Sequence, residues 1–242
     1  MSIARVAAYR LNLIMGRIRN IIVLLLLYYV WLTLSAGNGQ FAGLSAQELT
    51  TYVFLASILR RLLFGGDSRQ ISQDINEGRF SLYLTRPINH FVFNYFEELA
   101  ERVIQVGMSI VEAIIIGFIL HINFFAQTEM FTLFLFLCSA LLAHILFYIM
   151  TYAMSLISFW SRESMGPRFL FDWFVDFAAG SYFPLHILTG IFWQITLFLP
   201  FMYLLYAPIM IYLGRLTPTQ SLRVLFIQIM SIVIFGIVTN AV

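Results

Sequence analysis

Five polar side chains, Glu98, Arg102, Gln105, Ser109 and Glu112, follow one another at spacings of 4, 3, 4 and 3 in a segment that becomes apolar from Val103. At 3.6 residues per turn these spacings stack all five on one face of a helix. A carboxylate such as Glu112 is costly against hydrocarbon, so this face must meet protein or water. Two readings stay open: a polar lining for a route across a membrane, or a buried seam satisfied by neighbouring helices. If Glu112 itself exchanged protons, the chain would be a proton-coupled secondary transporter, although no internal repeat of the kind such carriers show is visible in the two halves. A second constellation sets Asp172 and Asp176, one helical turn apart, at the level of Arg60 and Arg61 on an earlier helix. Nothing nearby supplies a nucleophile or a metal ligand, so these four read as structural ion pairs and not as paired catalytic acids.

Several chemistries are excluded by residue types alone. All 14 basic residues are arginines, so the chain lacks the lysine that a Walker A loop extends to nucleotide phosphates, and it lacks a Schiff-base lysine as well. If ATP drives this protein, another chain binds the ATP and its magnesium. The single Cys138 precludes an internal disulfide and a multi-cysteine metal site. His90, His121, His144 and His186 are scattered without an HExxH pattern, so no zinc hydrolase is indicated. His144, midway along an apolar run, reads as an ordinary hydrogen-bonded membrane histidine. No catalytic constellation, metal site or cofactor is expected in this chain.

The elements that must position these residues are membrane helices. The chain is 61% hydrophobic and 11% charged, and 131–161 is a run of 31 uncharged residues, where a soluble domain carries about a quarter charged residues and about 20 apolar ones suffice to span a bilayer. The pattern predicts an all-α integral membrane protein, a single transmembrane domain over 1–242. Residues 1–19 form an amphipathic interfacial helix, with Ile3, Ala7, Leu11 and Ile14 on one face. Six transmembrane spans follow, at about 21–35, 46–64, 90–120, 130–160, the stretch after the charged turn Arg162–Arg168, and 219–240. Between Asp176 and Arg215 the chain is uncharged but interrupted by Pro184, Pro200 and Pro208. The pieces 185–199 and 201–214 would each reach only about 21–23 Å as helices, short of a ~30 Å core. Residues 184–217 therefore read as an extracytoplasmic re-entrant pair; the rival is one full crossing that moves the C-terminus to the other side. On the six-span reading, arginines 5, 10, 17, 19, 60, 61, 69, 79, 86, 102, 162 and 168 lie at one face and only 215 and 223 at the other. The excess marks the cytoplasmic side and puts both termini there.

The sizeable polar segment between spans, 65–89, is read either as a solvated loop or as a short cytoplasmic helix. Asp67 or Ser68 is a candidate N-cap, Ile71 and Ile75 share a face, and Gly78 is a candidate C-cap. Its pattern Asp74-Ile75, Glu77-Gly78-Arg79, then Tyr83-Leu84 and Arg86-Pro87-Ile88-Asn89, resembles the cytoplasmic signature of permease subunits of type-2 ABC transporters, in the branch whose ATPase is a separate chain. Gly180 with Tyr182-Phe183-Pro184-Leu185, and Leu199-Pro200-Phe201, Tyr203, Tyr206 and Pro208, are similar to the late region of that branch. The resemblance implies an exporter subunit in the bacterial cytoplasmic membrane that moves an amphipathic or hydrophobic substrate. It implies a dimer with a second permease, identical or similar, contact with membrane lipids and no nucleic acid. It also implies an ATPase dimer docked on a coupling helix between spans two and three, with Asp74, Ile75, Glu77, Gly78 and Arg79 as coupling residues.

Overall fold

The computed structural model describes residues 3–35, 40–64, 68–84, 89–161 and 165–241, and the protein is 81% helical. Asp67, Arg86, Pro87, Ile88 and Arg162 lie outside the described residues, as do the side chains of Arg5, Arg10 and Arg69. Helix α1 (Ile3–Ser35) is followed by a two-stranded antiparallel ribbon, β1 (Gln40–Phe41) and β2 (Leu44–Ser45), and by α2 (Ala46–Leu63). The short helices α3 (Ser68–Asn76) and α4 (Phe80–Leu84) precede the long α5 (His90–Ile119) and α6 (Met130–Leu156). Then come α7 (Met165–Ala178), α8 (Ile191–Phe198), α9 (Tyr206–Tyr212) and α10 (Pro218–Ala241).

Among the described residues four helices, α1, α5, α6 and α10, are long and apolar enough to cross a membrane, and the bent pair formed by α8 and 200–212 raises the number to five. Helix α2 has the length but carries Glu48, Arg60 and Arg61, and the 14 residues of α7 rise only about 21 Å. Helix α6 is the centre of the bundle: 56% of its apolar window is buried, against 17% for α1 and α10 and 22% for α5. The outer faces of α5 and α10 leave Val103, Ile104, Ile114, Phe118, Ile234 and Ile237 exposed, which suits lipid and not water.

Two sequence expectations change in detail. Helix α1 runs unbroken through 19–21, where the sequence placed a junction between an interfacial helix and the first span. No proline interrupts the ladder there, and its 33 residues reach about 50 Å, so the amphipathic part simply continues the apolar one. Pro208 also fails to cut the chain. It is the third residue of α9, in the first turn, where an amide has no intrahelical partner to lose. Pro200 does open a new element, a 3-10 turn Pro200–Tyr203, and the axis bends by 67° at that break.

Contacts assign the segments to the two ends of the bundle. At the ribbon end, Ser45 caps α2 in a reciprocal box with Glu48, Gln47 donates to the Phe124 carbonyl at 2.8 Å, and Gln127 donates to the Tyr212 carbonyl at 3.0 Å. Arg215 reaches Glu48 there. At the other end α3 follows α2, and Arg168 near the start of α7 donates to Ser155 near the end of α6 at 3.0 Å. Helix α7 thus rises from the α3 end and stops part-way. There the Tyr52 hydroxyl donates to the Gly180 carbonyl at 2.6 Å, and the Tyr206 amide donates to the Ala179 carbonyl at 3.0 Å.

Gly180 has φ +84°, and a Cβ added there would lie 2.9 Å from the Tyr52 hydroxyl and 3.1 Å from Leu185. Gly78 has φ +73° with nothing within 4 Å. Gly78→Ala should therefore cost only the left-handed strain, about 1 kcal/mol, whereas Gly180→Ala adds a clash and a lost buried hydrogen bond, about 3 kcal/mol in all. Thermal unfolding in detergent checks this; equal losses would remove Tyr52 from the packing of this turn.

Candidate functional site

The α3 segment is built around one arginine. Gly78 ends the helix with its positive φ and donates its amide to the Ile75 carbonyl at 3.1 Å, and this turn brings Arg79 back toward α3. Arg79 Nε donates to Asp74 Oδ1 at 2.8 Å, and its other arm donates to Glu77. The Asp74 carboxylate raises the pKa of the Arg79 guanidinium above its ordinary value. Asp74 is itself buried, while Glu77, Gly78 and Arg79 are exposed. On the other face, Ile71 is buried against Tyr148, Tyr152 and Leu156 of α6, with Ile75, Phe91 and Tyr95 around it. Tyr83 and Phe80 stack edge-on to His90, and Asn89 caps α5 by accepting the Val92 amide at 3.2 Å. The turn is thus a small rigid unit: charged outward, apolar inward.

The α5 stripe divides into two halves. Arg102 is fully buried; it donates to the Phe64 carbonyl at 3.1 Å and lies 3.5 Å from Glu98. That carbonyl belongs to the residue capping the C-terminus of α2, where backbone acceptors lack helical partners and a cation is favoured. Higher up, the Ser109 hydroxyl donates to the Gln105 carbonyl of its own helix at 2.9 Å. Glu112 accepts from Arg17 of α1 at 3.2 Å. Ser109 and Glu112 open onto a cleft of about 50 Å³ between α1, α2 and α5, whose walls also carry Arg60 and Arg61.

The four expected ion-pair residues do not meet as a foursome. Arg60 binds Asp176 with both arms, Nε donating to Oδ1 at 2.9 Å and the second nitrogen to Oδ2, and its guanidinium lies over the Tyr182 ring. Asp176 also accepts the Ser181 hydroxyl at 2.5 Å and the Tyr182 hydroxyl at 2.7 Å. Asp172 turns instead to Arg168 of its own helix, 3.6 Å away, because the two stand one turn apart on α7. Arg61 points into the cleft within electrostatic reach of Arg17, Arg60 and Glu112.

Other polar contacts escaped the sequence reading. Arg215 binds Glu48 at 2.7 and 2.5 Å, and this carboxylate raises the pKa of the Arg215 guanidinium. Gln228 of α10 donates to the Ser139 and Tyr203 carbonyls. His144 differs from its expected role. It is buried against the Tyr95 ring, and neither ring nitrogen makes a hydrogen bond of good geometry. The signal for Glu48 was present locally, as a Ser-x-x-Glu capping box before an apolar run, but its partner stands 167 residues away.

The family model described as "ABC-2 family transporter protein" matches residues 19–242. The chain belongs to this family. It is accordingly a membrane subunit of an ABC transporter and not a catalytic chain, as the resemblance of the α3 segment to the type-2 ABC permeases had implied. The ABC-2 assignment gives no support to a proton-coupled carrier. No curated protein and no solved structure matches the chain significantly.

In this ABC-2 permease, removing one partner of the Arg60–Asp176 pair leaves an uncompensated charge inside the bundle. Arg60→Gln or Asp176→Asn alone should each lower thermal stability in detergent by about 2–4 kcal/mol. The double variant should lose clearly less than the sum. Strict additivity in that cycle would mean that the pair is idle.

Proposed function

We propose that this ABC-2 chain is the transmembrane half of an ATP-driven exporter whose ATPase subunits are separate chains docking at α3. The observation that carries this reading is α3 itself: a small polar helix at one end of the bundle, closed by the Asp74–Arg79–Glu77 clamp and seated through Ile71 on the α6 aromatics. A partner pressing on such a unit moves it whole, because its charges are satisfied internally and its apolar side is already engaged. Asp74, Ile75, Glu77, Gly78 and Arg79 are the proposed contact and its support.

The working unit is a dimer with a second, identical or similar, permease in a bacterial cytoplasmic membrane. Six crossings are supported by the contacts at the two ends. Helix α7 starts at the α3 end, and Arg215, just before α10, binds Glu48 at the ribbon end, so the chain from α7 to α10 makes one net crossing. That leaves 184–217 as an excursion from the ribbon side and favours both termini on the α3 side. The arginine excess at that side supports a cytoplasmic orientation. The cargo is amphipathic or hydrophobic, and the α5 stripe of Glu98, Arg102, Gln105, Ser109 and Glu112 contributes to its route: Ser109 and Glu112 at the open cleft, with Arg102, beside Glu98, holding α5 to the end of α2 below.

Two experiments test the reading. The charge-swapped variant Glu77→Arg with Arg79→Glu should insert normally yet lower transport-coupled ATPase activity severalfold in vesicles containing the partner ATPase. Full coupling in a correctly assembled double variant removes α3 from the mechanism. For orientation, a cysteine at Thr128 in a Cys138-free background should react with an impermeant reagent from outside, and one at Ser68 from inside alone. Labelling of Ser68 from outside inverts the topology.

A further inference from the structure

The cleft between α1, α2 and α5 has an unbalanced charge. Arg60 and Arg61 line it, Arg17 binds its Glu112, and Arg17 and Arg19 are within electrostatic reach of Arg61. Two carboxylates face these four cations, and both are engaged: Asp176 by Arg60, Ser181 and Tyr182, and Glu112 by Arg17. Among the described residues no acid lies within ion-pairing distance of Arg61. A guanidinium without an anion, beside two others and among helices in an apolar medium, is costly by both desolvation and like-charge repulsion. A bound anion removes both penalties.

The shape agrees with the charge. Asn20 and Ser57 add hydrogen-bonding side chains beside Arg60 and Arg61, while Leu24, Leu27 and Val53 continue the wall as an apolar strip. The volume, about 50 Å³, is roughly three to four times the minimum that one water needs, enough for a single tetrahedral oxoanion. Arg60 and Arg61 are in the last turn of α2, and Arg17 is in the first turn of the apolar part of α1. Guanidinium forks match phosphate oxygens in geometry as well as in charge.

We propose that this cleft binds a phosphate-type oxoanion, with Arg61 as its principal ligand and Asn20 as a supporting donor. The phosphate belongs either to a lipid headgroup whose chains run along Leu24, Leu27 and Val53, or to a free phosphate-bearing solute. The site needs only the bundle's place in a membrane and does not depend on the exporter reading. Occupancy ties α1 to α2 and α5 at the α3 end.

The test is native mass spectrometry of the delipidated full chain, titrated with phosphatidylglycerol or phosphatidylcholine in detergent, with and without inorganic phosphate. The unsubstituted chain should bind phosphatidylglycerol at least about tenfold more tightly than phosphatidylcholine. Arg61→Gln should lose about tenfold in that affinity, Arg61→Lys should keep most of it, and Arg223→Gln, on the exposed face of α10, should change nothing. Competition by millimolar inorganic phosphate assigns the site to free oxoanions as well as lipids; binding indifferent to it assigns the site to lipid headgroups. Equal binding of the two lipids by the unsubstituted chain overturns the proposal, as does an equal response to Arg61→Gln and Arg223→Gln. The lipid comparison needs no substitution, so it decides even if Arg61→Gln fails to insert.

Discussion

Asp176 sits where α7 ends, almost wholly buried, and four groups converge on its two oxygens: both arms of Arg60, the Ser181 hydroxyl and the Tyr182 hydroxyl. A carboxylate inside a membrane bundle survives only with such company, since its hydration must be replaced donor by donor. The consequence is geometric. Residues 179–183 must turn back to feed the carboxylate, and Gly180 supplies the left-handed backbone that lets them. The turned segment then offers its own carbonyls outward, Gly180 to Tyr52 of α2 and Tyr182 to Trp31 of α1. One buried acid thereby fixes three helices and the point from which the chain sets out toward α8 and α9.

The same requirement governs the other charges. Glu48–Arg215 closes the ribbon end, Arg102 with Glu98 and the Phe64 carbonyl joins α5 to α2, and Arg17–Glu112 joins α1 to α5. Each uses arginine, whose planar fork addresses two acceptors at once, both oxygens of Glu48 for Arg215, a carboxylate and a carbonyl for Arg102, and a Glu112 oxygen and the Met108 sulfur for Arg17; a lysine in its place would satisfy fewer acceptors per buried charge. Exclusive use of arginine, which denies the chain a Walker A lysine, is also a way of making membrane helices adhere without a hydrophobic force between them.

What could be read in the sequence, and what could not, follows from the range of the interactions. The apolar runs of α5, α6 and α10 declare themselves because a helix satisfies its own backbone and needs only composition to be recognised. Helix α3 was legible for a local reason too, the Ile71/Ile75 face and a glycine two residues past the last helical turn. Helices α2 and α7 read as spans by position, yet one carries three charges and the other is short, so their place depends on partners far away in sequence. Those partners were the illegible part. Asp172 and Asp176 are equivalent by spacing, and only the fold sends one to Arg60 and the other to Arg168. The uninterrupted α1 and the harmless Pro208 were misjudged for the opposite reason: amphipathicity and proline were read as breaks, although neither prevents a helix from continuing or starting there.

These links bear on how the proposed push of an ATPase on α3 would be distributed. Ile71 rests on Tyr148 and Tyr152, and the Tyr148 hydroxyl donates to the Phe91 carbonyl at 2.7 Å, so α3, α6 and the start of α5 share one aromatic bearing. Immediately above it, Arg102 fastens α5 to the end of α2, the helix that leads into α3. Helices α2 and α5 are therefore joined at the α3 end, where both meet α6 through rings, Phe64 on Phe147 and Phe91 on Tyr148. The cleft lined by Arg60, Arg61, Ser109 and Glu112 lies within that α2–α5 pair, against α1, where Arg17–Glu112 is the sole ion pair tying α1 to α5 among the described residues. That bridge is half-shielded, with both side chains about a quarter exposed, so it is cheaper to break than the sealed Arg102 contacts below. The order of strengths directs any opening to the α1 side of the cleft and leaves the α2–α5 seam intact.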